Sequence, residues 1–288
     1  MSVRNNEERL ATSQSDSLPT KDITSPVERP PQNTNPLSFV TPTEFVELPS
    51  RGRFYPEGHP LYNEETIEIR YMTAKEEDIL TSRTLLKKGI AIDRMLQSVI
   101  VDKRINVQDL LIGDKNAIVI ATRITGYGAL YETKVICPGC TEYVLYEFDL
   151  NKADINHGGT TEGFTETKDG NFIISLEKLK VDVEVKLLTG KDELALVKAM
   201  AIKKRQKMDE TSLTDQFRQF IIGVNGHKSK EVIESLIENM PAADSRKLRT
   251  DYQKIIPNVD LSQEFTCENC SLEQTLEVPF TADFFWLK

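Results

Sequence analysis

The period of the hydrophobic positions changes several times along the chain, and each change predicts an element. Phe45-Val46-Glu47-Leu48 reads as a short strand. It leads into a Gly-containing turn and a second extended piece, Pro49-Ser50-Arg51-Gly52-Arg53-Phe54-Tyr55-Pro56. Thr66-Ile67-Glu68-Ile69-Arg70-Tyr71 alternates apolar and polar side chains, as a half-buried strand does. Thr73-Ala74-Lys75-Glu76 has the form of a capping box, with the Thr hydroxyl accepting from an early amide while Glu76 reaches back. A helix should run from there to about Lys88 and stop at Gly89. Ile92, Met95, Leu96, Val99 and Ile100 recur at amphipathic helical spacing. Val107 to Leu111 predicts a short helical turn. Asp114 is expected to cap a helix through Ile118, Ala121 and Ile124, ended by Gly126-Tyr127-Gly128. Strands are expected at Tyr131–Ile136 and Tyr143–Leu150.

Residues 151–171 contain His157-Gly158-Gly159-Thr160-Thr161 and Asp169-Gly170-Asn171, and read as a loop with a hairpin turn. Beyond this seam the same order of elements returns. Asp182 to Leu188 alternates as a strand and leads into Thr189-Gly190-Lys191-Asp192-Glu193, which parallels Thr73-Ala74-Lys75-Glu76-Glu77. Leu194, Val197 and Met200 are expected to face inward from the following helix. A second helix carries the stripe Leu213, Phe217, Phe220, Ile221 and Val224, and aligns with Asp93 to Ile100. Glu231–Met240 and Pro241–Ile255 then correspond to the Val107 turn and the Asp114 helix. The pattern predicts an α+β fold of two pseudo-repeats, each strand, helices, strand, C-x-x-C, strand. Their expected bounds are 39–150 and 172–288, joined by a 151–171 linker.

Residues 1–38 break the pattern. They are rich in Ser, Thr, Asn, Pro and charge, with almost no aliphatic periodicity, and are expected to form a disordered tail. Such a tail is either a solvated linker or a segment that folds on a partner.

The repetition gives the cysteines their meaning. The only four in 288 residues form two turns of identical spacing, Cys137-Pro138-Gly139-Cys140 and Cys267-Glu268-Asn269-Cys270. One such turn presents two sulfurs, and two complete the closed tetrahedral shell that structural zinc prefers. The expectation is one structural zinc ion held by Cys137, Cys140, Cys267 and Cys270, a zinc-ribbon-like site shared by both repeats. A full thiolate shell leaves no open position for a metal-activated water. The catalytic rival is a thioredoxin-like dithiol, which needs a C-x-x-C that opens a helix after a strand, whereas both turns here lie between predicted strands. Unpaired structural thiols are the remaining reading.

Charge and the other polar residues narrow the function. The net charge of −9 argues against a general phosphate-backbone binder. No run of eighteen apolar residues is present, so no membrane span is expected, and the start carries no apolar signal core. A cytosolic setting follows, in which thiols stay reduced. His59, His157 and His227 lie in loops and read as exposed polar residues, with no nucleophile or paired carboxylate tied to them. Leu188-Thr189-Gly190-Lys191-Asp192 lacks the first glycine and the Ser/Thr of a phosphate loop, and reads as a helix cap. Lys198, Lys203, Lys204, Arg205 and Lys207 form a basic run, either a solvated face or a dock for an acidic partner. The closing aromatics from Phe280 to Trp286 either fold back on the core or anchor another subunit.

Two stretches carry a family resemblance. Phe45 to Pro56, followed by Ile69-Arg70-Tyr71-Met72-Thr73-Ala74-Lys75-Glu76-Glu77-Asp78-Ile79-Leu80, resembles the opening of the T4-type bacteriophage baseplate hub protein family. The second C-x-x-C with Val278-Pro279-Phe280 and Phe284-Phe285-Trp286 is similar to the same group. The resemblance covers residues 41–288, and its first stretch is the more specific. It implies a hub subunit or hub assembly chaperone of a contractile-tailed phage, with no catalytic residue to carry over. Other hub and tail proteins, the tape measure among them, are then the implied partners. The host cytoplasm during assembly and the virion tail are the implied locations. The competing class is a zinc-ribbon nucleic-acid-binding regulator, which would need basic residues where the knuckles have Glu132, Glu142, Glu264, Glu268 and Glu273. An enzyme would need a convergent polar pocket that no motif marks. Oligomeric state is left open.

Overall fold

The first alternating block forms a hairpin in the computed structural model, which describes residues 41–159, 164–167, 169–206, 212–279 and 282–285. Strands β1 (Thr43–Glu47) and β2 (Thr66–Arg70) pair antiparallel, and Val46, Ile67 and Ile69 turn to one buried face. Thr73 then donates from both its N–H and its hydroxyl to Glu76. The expected capping box is thus formed, with Glu76 reaching back to Thr73. The single helix expected up to Lys88 is two, α1 (Ala74–Thr81) and α2 (Arg83–Lys88), because Ser82 takes an extended conformation. Thr81 contributes by donating its hydroxyl back to Glu77 O, a local bond that competes with the helical ladder. Gly89 ends α2 in the left-handed region, as expected.

Helix α3 (Ala91–Val99) buries Met95, Leu96 and Val99, and Ile100 after it bridges to Ile69 beside the hairpin. A 3-10 turn at Val107–Asp109 precedes α4 (Ile112–Tyr127). Asp114 does not cap this helix. Leu111 holds the cap position, and Asp114 lies fully buried in the first turn, where its carboxylate binds a distant loop instead. Buried residues surround α4 on nearly every side, which makes it the central post of the fold. Strands β3 (Leu130–Ile136) and β4 (Tyr143–Asp149) follow as a long hairpin, with Leu150 leaving the strand for a 3-10 turn.

The stretch expected to be loop contains β5 (Asp154–Asn156) and β6 (Thr165–Glu166). With β7 (Phe172–Leu176) and β8 (Val181–Val185), β6 begins an antiparallel sheet. Thr189 donates from its N–H and hydroxyl to Asp192 at the start of α5 (Gly190–Gln206), so this segment is a helix cap. Val197 and Met200, expected inward, are each 49% exposed. The helix is held at its first turns and by a Lys203–Asp215 pair, and Val197 lines an open groove of about 330 Å³ with Leu86, Ile92, Val119 and Leu194. Of the basic run, Lys203 is therefore engaged, and Lys207 lies outside the described residues.

Helix α6 (Ser212–Phe220) buries Phe217 and Phe220, while Leu213 is exposed. The rest of the expected stripe belongs to strand β9 (Ile221–Val224), which completes the sheet in the order β6-β7-β8-β9. The paired β-branched residues Ile221 and Ile222 favour that extended form. Helices α7 (Lys230–Asn239) and α8 (Ala242–Ile255) lead to β10 (Asn258–Asp260), then the hairpin β11 (Ser262–Thr266) and β12 (Glu273–Glu277).

The earlier and later halves are bound together at several places. β5 pairs with β10. Ile112 N–H donates to Leu188 O and Gly190 N–H donates to Leu110 O, which sets the starts of α4 and α5 side by side. Gly113 lies so close to Pro257 that a Cβ would fall 1.9 Å from its carbonyl oxygen. Thr41–Lys288 is accordingly one compact unit. Phe284 and Phe285, in a closing 3-10 turn, fold back onto the core and are 2% exposed each. The expected tail over 1–38, Phe280 and Trp286 lie outside the described residues.

Candidate metal centre

The four cysteines occupy the tips of the β3–β4 and β11–β12 hairpins, and each turn is shaped the same way. Cys137 N–H donates to Glu142 O and Thr141 N–H to Cys137 O; Cys267 N–H donates to Leu272 O and Ser271 N–H to Cys267 O. Thr141 and Ser271 both adopt left-handed backbone, at φ of 59° and 56°. Gly139 N–H points at Cys137 Sγ from 3.4 Å. Both knuckles lie between strands, so neither C-x-x-C opens a helix.

The sulfurs converge. Cys137 Sγ lies 3.6 Å from Cys270 Sγ, Cys140 Sγ lies 3.8 Å from Cys267 Sγ, and all four fall within 4.8 Å of one another. A disulfide needs about 2.0 Å, so these are four free thiols. A tetrahedral zinc shell with bonds of about 2.3 Å sets its sulfurs about 3.8 Å apart, and the two closest pairs match that edge. The donor set and its spacing therefore fit a structural zinc ion.

The titration of the cluster points the same way. The Cys140 N–H, against some desolvation and with help from the Gly139 N–H and the facing thiols, draws the Cys137 pKa down to about 6. At Cys270 the Leu272 N–H also favours the thiolate, but desolvation and the other three sulfurs outweigh it and push the pKa up to about 12. One thiolate forms easily and further charge is opposed. A divalent cation among the sulfurs would remove that opposition.

The hairpins are also locked below their tips. Tyr146 packs edge-on against Phe265 and donates its hydroxyl to Glu264 O, while Gln263 bonds both the N–H and the C=O of Asp149. The knuckles thus meet on a preformed interface between the two hairpins.

Among known families, the one described as T4 bacteriophage base plate protein matches residues 42–286, a span that takes in both knuckles and every described element. The chain belongs to this family. No curated protein and no solved structure matches it.

The baseplate protein's opening motif has a structural task that its sequence did not disclose. Ser50 donates from its N–H and its hydroxyl to Asp114, and Tyr55 donates its hydroxyl to the same carboxylate while accepting from Leu111 N–H. Asp114 and Tyr55 are both buried, and burial raises both pKa values. Gly52 makes the turn possible: its φ is 69°, and a Cβ there would lie 2.4 Å from Glu64 N. In the later half Asp244, at the same place in α8, accepts from Lys178 and Leu179 N–H in the β7–β8 turn. The sequence signal for this role was an aspartate at the third position of each helix, within its first turn.

Arg123 was also missed. It is 1% exposed in α4 and donates to Phe284 O, Gly128 O and Leu130 O, tying the folded-back C-terminal turn to the base of β3. The histidines are less exposed than expected. His59 is half-buried and stacks on Tyr55, and His157 donates from Nδ1 to Pro49 O and accepts from Arg51 at Nε2; His227 alone is exposed. Among the described residues no helix is long and apolar enough to cross a membrane.

Proposed function

We propose that the chain is a non-enzymatic structural or assembly protein of the baseplate hub in a contractile-tailed phage. In this reading one zinc ion, held by Cys137, Cys140, Cys267 and Cys270, fixes two repeats spanning 39–150 and 172–288. The baseplate family supports the setting. The observation that carries the reading is the convergence of four free sulfurs from two separate hairpins at zinc spacing.

Several parallels support the duplication. Thr73 and Glu76 with Arg70 recur as Thr189 and Asp192 with Lys186. Ile100 bridges Ile69 as Ile221 pairs with Val185. Asp114 and Asp244 are separated by the same length of chain as Cys137 and Cys267. The first cysteine of each knuckle faces the second of the other, the pattern of an approximate twofold axis.

Zinc then acts as a staple between surfaces that other hub or tail proteins, including the tape measure, contact. Assembly would take place in the host cytoplasm. The test is metal analysis with thermal unfolding before and after chelation. One zinc per chain and a fall in melting temperature of about 10 °C or more are expected, given the strength of structural zinc sites. Unchanged melting after removal of the metal would overturn the staple. Co-expression with hub and tape-measure proteins tests the setting, and failure to form a complex with any of them would refute the hub assignment. The acidic residues beside the knuckles count against a nucleic-acid regulator, and no salt-sensitive DNA shift is expected.

A further inference from the structure

The two cysteine hairpins are alike on their inner faces and different on their outer ones. Inward, β3–β4 buries Tyr131, Val135, Val144 and Phe148, and the other hairpin buries Phe265, with Leu261 and Val278 buried just beyond its open end. Strand alternation sends the remaining positions outward. On β11–β12 those are Ser262, Glu264, Thr266, Glu273, Thr275 and Glu277, all polar and exposed. On β3–β4 the matched places beside the knuckle hold Ile136, Tyr143 and Leu145, with 54%, 70% and 54% of their surface exposed, and Lys134 opposite Leu145 at the edge of this cluster. Ile136 and Tyr143 stand directly opposite each other in the ladder, and Leu145 follows on the same face.

One hairpin therefore shows that this architecture does not need an apolar outer face. The other keeps one, and contiguous exposed apolar side chains rimmed by polar ones mark interaction sites. The adjoining charges indicate the kind of partner. Glu132 and Glu147 are exposed and directly opposed across the ladder, an unfavourable like-charge pair; Lys134 shares this face but forms no ion pair with either among the described residues, so the face stays net acidic. Asp149 continues the same face. A second copy docked on this face would bring two net-acidic faces together, three carboxylates to one lysine on each, and a nucleic acid would bring phosphates to them. A protein with an arginine or lysine beside an apolar cluster would relieve the repulsion.

We propose that the outer face of β3–β4 is a docking surface for a different protein of the same baseplate. That partner seats an apolar cluster on Ile136, Tyr143 and Leu145 and a basic side chain between Glu132 and Glu147. The assignment rests on the baseplate reading and adds to it the surface and the partner's chemistry.

The test transplants the outer side chains of one hairpin onto the other in the full chain: Ile136→Thr, Tyr143→Glu and Leu145→Thr together. A second variant combines Glu132→Lys with Glu147→Lys. The probes are the other baseplate proteins of the same phage, purified singly and titrated at low and high salt. At least one should bind the wild type, with affinity reduced about 100-fold or more by the apolar triple substitution. The charge reversal should reduce it about tenfold or more, chiefly at low salt. Zinc content and melting temperature, read on the same samples, should be unchanged. Should the triple variant unfold or lose metal, Tyr143→Thr alone takes its place, with about tenfold weakening expected. Binding that neither variant alters, or a wild-type protein that binds none of the probes, overturns the proposal. Self-association abolished by the triple substitution assigns the face to a second copy and overturns the partner. Loss of zinc from the wild type is a separate failure, that of the staple.

Discussion

Replacing Glu76 by Gln tests how β2, α1 and α3 are held together. The carboxylate accepts from Arg70 at 2.6 and 3.1 Å, from Ser98 Oγ at 2.7 Å, and from the Thr73 N–H and hydroxyl at 3.0 and 2.7 Å. It thereby joins the end of β2, the start of α1 and the last turn of α3. Burial alone would raise its pKa, but the bonds from Arg70, Ser98 and Thr73 outweigh it and hold the group at about 2 instead of 4.5. At about 1.4 kcal/mol per pKa unit that depression corresponds to roughly 3 kcal/mol. Arg70 keeps 23% of its side chain in solvent, and screening reduces the expectation to about 2 kcal/mol. Because the folded pKa lies below the unfolded one, the stabilisation is fully present above about pH 4.5 and is lost as pH falls toward 2. Glu76→Gln should therefore lower stability by about 2 kcal/mol near neutrality, or about 4–8 °C in melting temperature for a unit of this size. The gap from wild type should close on acidification. Urea unfolding of both proteins over a series of pH values measures it, with Asp78→Asn on the exposed side of α1 as control. A difference under about 0.5 kcal/mol, or one that stays constant with pH, would refute the reasoning.

The matched position in the later half should behave alike but more weakly. Asp192 feels burial, opposed by Lys186 and Thr189, with a net lowered pKa, and Lys186 is a third exposed, so Asp192→Asn should cost about 1 kcal/mol and lose its effect in acid. Tyr55→Phe removes one bond to Asp114 and leaves Leu111 N–H without its acceptor; a loss of about 2 kcal/mol in urea unfolding is expected, and a neutral result would show the network is dispensable. Phe284→Ala empties a site packed edge-on against Tyr131 and should cost about 3–5 kcal/mol. A cost below about 1 kcal/mol would mean that the C-terminal turn does not close the core.

The readable parts of this protein were the local ones. The cap at Thr189, the amphipathic α3, the strands flanking each knuckle and the Gly89 stop each depend on residues a few positions apart. The convergence of the cysteines was readable because a closed thiolate shell needs four ligands, and two C-x-x-C turns of equal spacing supply them. The errors fell where a local pattern admits two outcomes. Ile221 to Val224 continues the apolar spacing of α6 yet is also a good strand, and the open place beside β8 decided for the strand. Val197 and Met200 carry the spacing of an inner stripe, but no distant segment covers it: Leu194 is only half-buried at the edge of the open groove, and the two residues beyond it are exposed.

The sequence by itself determined most elements and the pairing of the two cysteine turns. Only the tertiary structure decided that Asp114 leaves its own helix end to bind Ser50 and Tyr55, that Arg123 ties the C-terminal turn to β3, and that one cysteine hairpin exposes an apolar face while the other does not. The physical reason is range. Periodicity and caps record what a residue needs from its immediate neighbours, whereas burial and hydrogen-bond partners depend on which distant segment arrives to cover a face.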